Sequence, residues 1–137
     1  MDRIGAPHER LKAVTIAGTN GKGSTAVYLA SILHEAGYRV GLYTSPHLCR
    51  VTERIRLGGA QMDEDDFVRW AWRLQQVIES RDPIELTFFE ALTVMALGFF
   101  VEREVDIAVL EVGLGGRLDA TAVVPPLVSV ILSLIHI

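Results

Sequence analysis

Cysteine is almost missing from this chain: Cys49 stands alone among 137 residues. No intrachain disulfide can form, neither a Cys₄ nor a Cys₂His₂ zinc site can be built, and a reducing cytoplasm is the expected compartment. Excess positive charge is missing too. The net charge is −4 and no Lys/Arg block is longer than two, which argues against a nucleic-acid partner. Residues Met1 to Arg10 carry charges where a secretory signal would need an apolar core, so no export signal is read. Charge is absent altogether from Ala120 to Ile137, a stretch long enough to be mistaken for a membrane span. Pro125-Pro126 interrupts it, however, and Val-rich runs around a Pro-Pro turn read as a loop followed by a buried parallel strand. A membrane is therefore not an expected partner.

What is present is a core-forming composition, half of it apolar, enough for one globular domain or most of one. Its most informative stretch joins the apolar run Val14-Thr15-Ile16-Ala17 to a helix-like segment through Gly18-Thr19-Asn20-Gly21-Lys22-Gly23-Ser24-Thr25. Three glycines let successive N–H groups turn toward one anion, the helix N-terminus adds its positive dipole end, and Lys22 supplies a point charge. Such a loop suits a nucleotide polyphosphate. Its spacing departs from G-x-x-x-x-G-K-[ST]: Ile16 stands where the first glycine belongs, Gly18 comes two residues late, and Gly23 replaces the hydroxyl expected after the lysine.

Strand 12–17, the loop, helix 24–36 stopped by Gly37, and strand 38–43 form a βαβ unit. Arg54-Ile55-Arg56-Leu57 followed by Gly58-Gly59 suggests a short hairpin. From Asp63 an acidic first turn leads into a helix to about Ser80, with Phe67, Trp70, Ala71, Leu74, Val77 and Ile78 on its apolar face; Asp82-Pro83 breaks it. Thr87-Phe88-Phe89-Glu90 has the form of a capping box ahead of helix 88–103. Val105 to Leu110 reads as a buried strand ending at Glu111, Gly113-Leu114-Gly115-Gly116-Arg117 as a second Gly-rich loop, and Leu127 to Leu132 as another strand. No internal repeat or low-complexity linker is evident. The alternation predicts an α/β fold of three layers around a mainly parallel sheet, with ligands at the carboxyl ends of the strands.

Glu111 closes an apolar strand ahead of three glycines and so reaches that edge with little bulk around it. This suits a Mg²⁺ ligand, since Mg²⁺ takes one or two carboxylates plus phosphate oxygens; a carboxylate capping a strand end is the alternative. Ser45, in Tyr43-Thr44-Ser45-Pro46-His47-Leu48, reads by itself as a turn residue. Arg117 and Asp119 could pair or meet a substrate, and His34 reads as partly buried helix surface.

Four stretches carry a family resemblance: Val14 to Ser24, Gly37 to Leu48, Leu86 to Glu90, and Glu111-Val112-Gly113-Leu114-Gly115-Gly116-Arg117-Leu118-Asp119-Ala120-Thr121. In this order they resemble folylpolyglutamate synthase/dihydrofolate synthase, over roughly residues 3 to 131. The shortened loop is similar to that of the wider Mur ligase superfamily, while Gly23 and Leu114 to Ala120 resemble the folate branch. The resemblance implies a Mur-ligase central-domain-like fold and ATP-dependent amide formation between a pteroate or folate carboxylate and L-glutamate, through an acyl phosphate. Carried over, Gly18, Thr19, Asn20, Gly21, Lys22, Gly23 and Ser24 would bind ATP, and Lys22 and Glu111 would be catalytic. Ser45 and Glu111 would hold Mg²⁺, and Thr87, Phe88, Phe89, Glu90, Leu118, Asp119 and Ala120 would contact the pteroate or folate. A capping role for Thr87 is compatible with that contact.

The family pattern has parts that this sequence lacks. They are an Asp-His segment after Val128-Ser129-Val130-Ile131, a lysine carbamylated in many members, a C-terminal domain, and an N-terminal loop ahead of Arg3-Ile4-Gly5. The expectation is a truncated chain, with 1–131 a partial ATP-binding domain, the C-terminal domain absent, and Met1 open as the natural start. Leu132-Ser133-Leu134-Ile135-His136-Ile137 translate the transposase mosaic-end adapter CTG TCT CTT ATA CAC ATC, so 132–137 are expected to be non-native; His136 as an out-of-register metal ligand is the competing idea. Two other readings are a Mur-type ligase acting on a cell-wall precursor, which Gly23 and Leu114 to Ala120 disfavour, and a nucleotide-binding module without ligase activity. The motifs do not separate dihydrofolate synthase from folylpolyglutamate synthase. They give no oligomeric state either, a monomer being the expectation at full length.

Overall fold

The β-branched run after Lys12 forms strand β1 (Ala13–Ala17), whose first four residues are buried. It belongs to a computed structural model that describes residues 1, 3, 5–80 and 83–133. Helix α1 (Lys22–Glu35) follows, then β2 (Val40–Tyr43), the hairpin strands β3 (Ile55–Leu57) and β4 (Ala60–Gln61), helices α2 (Glu64–Ile78) and α3 (Phe88–Glu102), β5 (Ile107–Glu111) and β6 (Pro126–Ile131). The six strands form one sheet in the order β4-β3-β2-β5-β1-β6. β6, β1, β5 and β2 run parallel, and the hairpin adds two antiparallel strands at the other edge.

Two apolar clusters fill the spaces on either side of the sheet. On one face α1 brings Ala26 and Ala30 against Val14, Ile16, Val40, Leu42 and Val109. On the other, α2 and α3 bury Trp70, Leu74, Leu92, Leu97 and Phe100 against Tyr43, Ile55 and Leu110. The three-layer, mainly parallel α/β arrangement expected from the alternating pattern is therefore present. Gly98 makes the second helical layer possible, because a Cβ there would lie 2.4 Å from the Trp70 ring. At the outer ends of these helices Arg69 and Arg103 both donate to Asp66, and Arg69 also reaches Glu102 at 2.7 Å. Burial pushes the Asp66 carboxyl up, but the two guanidiniums outweigh it and hold the group below its ordinary value. Glu102 is also lowered, first by its hydrogen bond from Arg69.

Three expectations are corrected. Helix α1 begins at Lys22, two residues early, because Gly21 at φ 80° turns the chain in the left-handed region and places the lysine in the first helical turn. β6 is parallel but not buried: Leu127, Val128 and Ile131 are 61, 54 and 65% exposed. It is the edge strand, and α1 rests on β1, β2 and β5 instead. His34 is exposed on α1, beside Gly58 of the hairpin turn. Asp82 and Leu134 to Ile137, including His136, lie outside the described residues. Among the described residues no helix is long and apolar enough to cross a membrane.

Candidate active site

Because β1, β2 and β5 are parallel neighbours, their carboxyl ends bring the phosphate loop, Ser45 and Glu111 to one edge of the sheet. Lys22 Nζ donates to the Gly18 carbonyl at 2.9 Å, folding the lysine over its own loop. Gly18, Thr19 and Lys22 form one wall of a cavity of about 280 Å³, and Val112, Gly113, Leu114 and Gly115 form the other. Asn20 and Ser24, the latter in the first turn of α1, are exposed and are not among the lining residues of this cavity. The chain leaving β6 runs alongside, with Thr19 N donating to Ser133 O at 2.7 Å and Leu132 N to Ala17 O at 3.0 Å.

Glu111 is only 4% exposed. One carboxylate oxygen, Oε2, accepts from the Ser45 backbone N–H at 2.9 Å, so two residues 66 positions apart in sequence meet here. Glu111 does take a backbone N–H as a strand-end cap would, and the same bond fixes Ser45 beside it. Gly23 leaves the carboxylate bare on its α1 side: a Cβ there would sit 3.4 Å from Oε2. A carboxylate beside a hydroxyl-bearing residue is an all-oxygen donor set, which fits a hard divalent cation that also takes phosphate oxygens, although neither Ser45 nor Glu111 is among the residues lining the phosphate-loop cavity. Among the described residues no group of three or more His, Cys, Asp or Glu forms a self-sufficient metal cage.

A second cavity, of about 510 Å³, adjoins the first through Leu114 and Gly115. Thr87, Phe89, Glu90, Leu118, Asp119 and Ala120 all line it, so the two sequence segments expected to share a ligand do share a cavity. Phe88 is not among its lining residues; it is 61% exposed, with the Arg54 guanidinium 5.5 Å from its ring centre. Thr87 and Glu90 form the expected capping box: Glu90 N donates to Thr87 Oγ1 at 3.2 Å, and Thr87 N donates to Glu90 Oε2 at 2.8 Å. The Thr87 hydroxyl and then its N–H hold Glu90 below the ordinary carboxylate range, so the wall carries a fixed negative charge. Asp119 organises the Gly-rich loop. Its Oδ2 accepts from Leu114 N at 2.9 Å, and its Oδ1 accepts from Thr121 N at 3.0 Å and Thr121 Oγ1 at 2.6 Å. Among the described residues no ion pair joins Asp119 to Arg117, which lies on the rim.

Three contributors escaped the sequence reading. Glu53 gathers the N–H groups of Leu48, Cys49 and Arg50 and so shapes the loop after Ser45. Arg54 donates through Nε to His47 Nδ1 at 2.9 Å. Tyr43 lies buried behind Phe89, their ring centres 5.8 Å apart. Neither Glu53 nor Tyr43 left a local signal: Arg50, three residues before Glu53, has no side-chain acceptor of the kind a capping box needs, and a tyrosine in an apolar strand offers none.

A phosphate loop between a parallel strand and a helix, beside a strand-end carboxylate, defines a nucleotide-binding α/β domain of the Mur ligase type. Within that class, sequence and fold place the chain with the folylpolyglutamate synthase/dihydrofolate synthase family. It is 41% identical to the dihydrofolate synthase/folylpolyglutamate synthase of Bacillus subtilis over 99% of its length, and 48% identical to that of Escherichia coli over 88%. It spans only 33% and 28% of those two proteins. The crystal structure of folylpolyglutamate synthase from Thermotoga maritima superposes with a TM-score of 0.92 at 48% identity, covering 96% of this chain and 32% of that one. An E. coli enzyme in complex with DHPP and ADP matches at 0.84 and 44%, over 93% of this chain and 31% of that one. A bifunctional folylpolyglutamate synthase/dihydrofolate synthase with Mn, AMPPNP and L-glutamate bound matches at 0.84 and 42%, over 95% and 33%. No protein-family model matches the chain.

Proposed function

We propose that these residues form the ATP-activating part of a ligase that joins L-glutamate to the carboxylate of a pteroate or folate. The observation that carries this reading is the shared boundary at Leu114-Gly115 between the phosphate-loop cavity and the cavity of Phe89 and Asp119, across which an acceptor in one would meet a triphosphate in the other. Relatives crystallised with Mn, AMPPNP and L-glutamate, and with DHPP and ADP, support the same assignment.

In this reading Gly18 to Ser24 wrap the triphosphate. Lys22 leaves the Gly18 carbonyl to neutralise charge growing on the transferring phosphoryl group, an electrostatic role that loop lysines fill in phosphoryl transfer. Ser45 and Glu111 hold Mg²⁺, which when bound supplies charge neutralisation at the phosphate oxygens. Thr87, Phe89, Glu90, Leu118, Asp119 and Ala120 hold the acceptor so that its carboxylate oxygen attacks the γ-phosphorus. The bond to ADP breaks as the acyl phosphate forms. The glutamate nitrogen then attacks the acyl carbon, and after a tetrahedral intermediate phosphate departs, the nitrogen losing a proton.

The full-length gene product carrying these residues should release ADP only when both a pteroate or folate and L-glutamate are present. Dependence on a muramyl-peptide precursor instead would overturn the assignment. The 137 residues alone, which span a third or less of those relatives' length, should give weak or no ligation, since the reaction needs all reactants aligned in one site; robust product from them would refute that part.

A further inference from the structure

Phe89 is held in place by residues that are not among those lining its cavity. Its carbonyl oxygen lies 2.8 Å from Thr93 Oγ1 and 3.5 Å from Tyr43 Oη, and the two hydroxyls are 3.2 Å apart. Both residues are buried, Tyr43 fully. Burial raises the Tyr43 hydroxyl above its ordinary value, so it stays a neutral donor. The Tyr43 ring meets the Phe89 ring at a 39° tilt. Elsewhere on the same ring, Phe89 Cζ occupies space 2.6 Å from where a Cβ on Gly113 would be.

The placement of these contacts in the chain gives them a purpose. Tyr43 ends β2 two residues before Ser45, and Gly113 follows Glu111 by two. Phe89 is thus pinned to both strand ends that meet through the Ser45 to Glu111 hydrogen bond. Phenylalanine and valine would fill the Tyr43 and Thr93 sites with similar volume, so the hydroxyls add direction rather than bulk. A buried hydroxyl must be hydrogen-bonded to be tolerated, and these converge on one carbonyl in the first turn of α3.

We infer that Tyr43, acting through Thr93 and the Phe89 carbonyl, is a positioning residue for the acceptor: it sets the first turn of α3 so that the Phe89 ring forms the cavity wall in register with Ser45 and Glu111. This rests on the ligase reading above.

The test uses the full-length protein with Tyr43→Phe, Thr93→Val and Thr93→Ser, following ADP release against pteroate, ATP and L-glutamate in turn. Tyr43→Phe and Thr93→Val should each raise KM for pteroate about five-fold, the loss expected for one buried hydrogen bond, and leave KM for ATP within two-fold. Thr93→Ser, which keeps the hydroxyl, should restore the pteroate value. Equal rises for ATP and pteroate, or a lowered Tm with no separation of the two constants, would overturn the inference in favour of plain packing. Unchanged pteroate KM in a wild-type enzyme that does ligate would overturn the inference alone. No pteroate- and glutamate-dependent ADP release by the wild type would overturn the ligase reading and this inference with it.

Discussion

The Ser45 backbone N–H donates to Glu111 Oε2 at 2.9 Å, and Gly23 packs against the same carboxylate so closely that a Cβ there would lie 3.4 Å from that oxygen. The contact would be of ordinary van der Waals length, so Gly23→Ala should not disturb the fold. Alanine is the better helix former, and the change should stabilise α1 by up to ~1 kcal/mol. The added methyl nonetheless occupies space beside the carboxylate where a cation and phosphate oxygens would sit. The expected outcome is a higher Tm together with divalent-metal affinity weakened about ten-fold, read by metal titration of the nucleotide complex. Unaltered metal affinity would place the ion elsewhere.

Lys22 is held at 2.9 Å to the Gly18 carbonyl, within its own loop, whereas the cavity of Phe89 and Asp119 is lined without it. Lys22→Ala in the full-length protein should therefore separate two quantities. Phosphoryl transfer should fall about 100-fold or more, the usual loss when one preorganised positive donor is removed. Acceptor affinity should change by less than about three-fold. Single-turnover ADP release and calorimetric titration with pteroate measure the two, and equal losses would make the loop a structural element.

Much of this architecture was legible because each layer leaves a period in the sequence. β1, β5 and the apolar faces of α2 and α3 follow from β-branched runs and helical spacing, and Asp63, Thr87 and Gly37 punctuate them. The exposure of β6 was not legible, since Leu127 to Ile131 read the same whether or not anything covers them. Phe88 and Phe89 are adjacent aromatics on one helical turn, and tertiary packing, Phe88 beside Arg54 and Phe89 against Tyr43 and Gly113, separates the one that lines the cavity from the one that does not. The Ser45 to Glu111 contact depends on strand order, which no local pattern records.

Asp119 accepts three hydrogen bonds from the loop that carries Leu114 and Thr121. Asp119→Ala strips all three and leaves Thr121, which is fully buried, with an unpaired N–H and hydroxyl. The stability cost should be about 1–3 kcal/mol, the range for a lost cap and an unsatisfied buried group. KM for the acceptor should rise at least ten-fold, because Leu118 and Ala120 lose their anchor. Thermal unfolding and steady-state kinetics read the two effects, and an acceptor KM that stays put would show that Asp119 organises the fold without shaping the cavity.

Glu53 predicts an acid-sensitive loop beside Ser45. The N–H groups of Leu48, Arg50 and Cys49 hold its carboxyl down to about 2 against an ordinary 4.5. A carboxylate whose folded value is depressed contributes stability that is fully present above the unfolded value and is lost as pH falls through the folded one. The ordering of residues 48–53 should thus be complete above pH 4.5, weaken below it, and vanish as Glu53 protonates near pH 2. In an NMR titration the Glu53 carboxyl carbon and the amides of Leu48, Cys49 and Arg50 should shift together with a midpoint near 2. Glu53→Gln should remove that shared transition, because the amide side chain does not titrate. A carboxyl midpoint at 4.5 would mean that the three N–H groups do not hold the charge, and the loop after Ser45 would then owe its shape to its other bonds, among them Arg54 to His47 and Arg50 to Glu64.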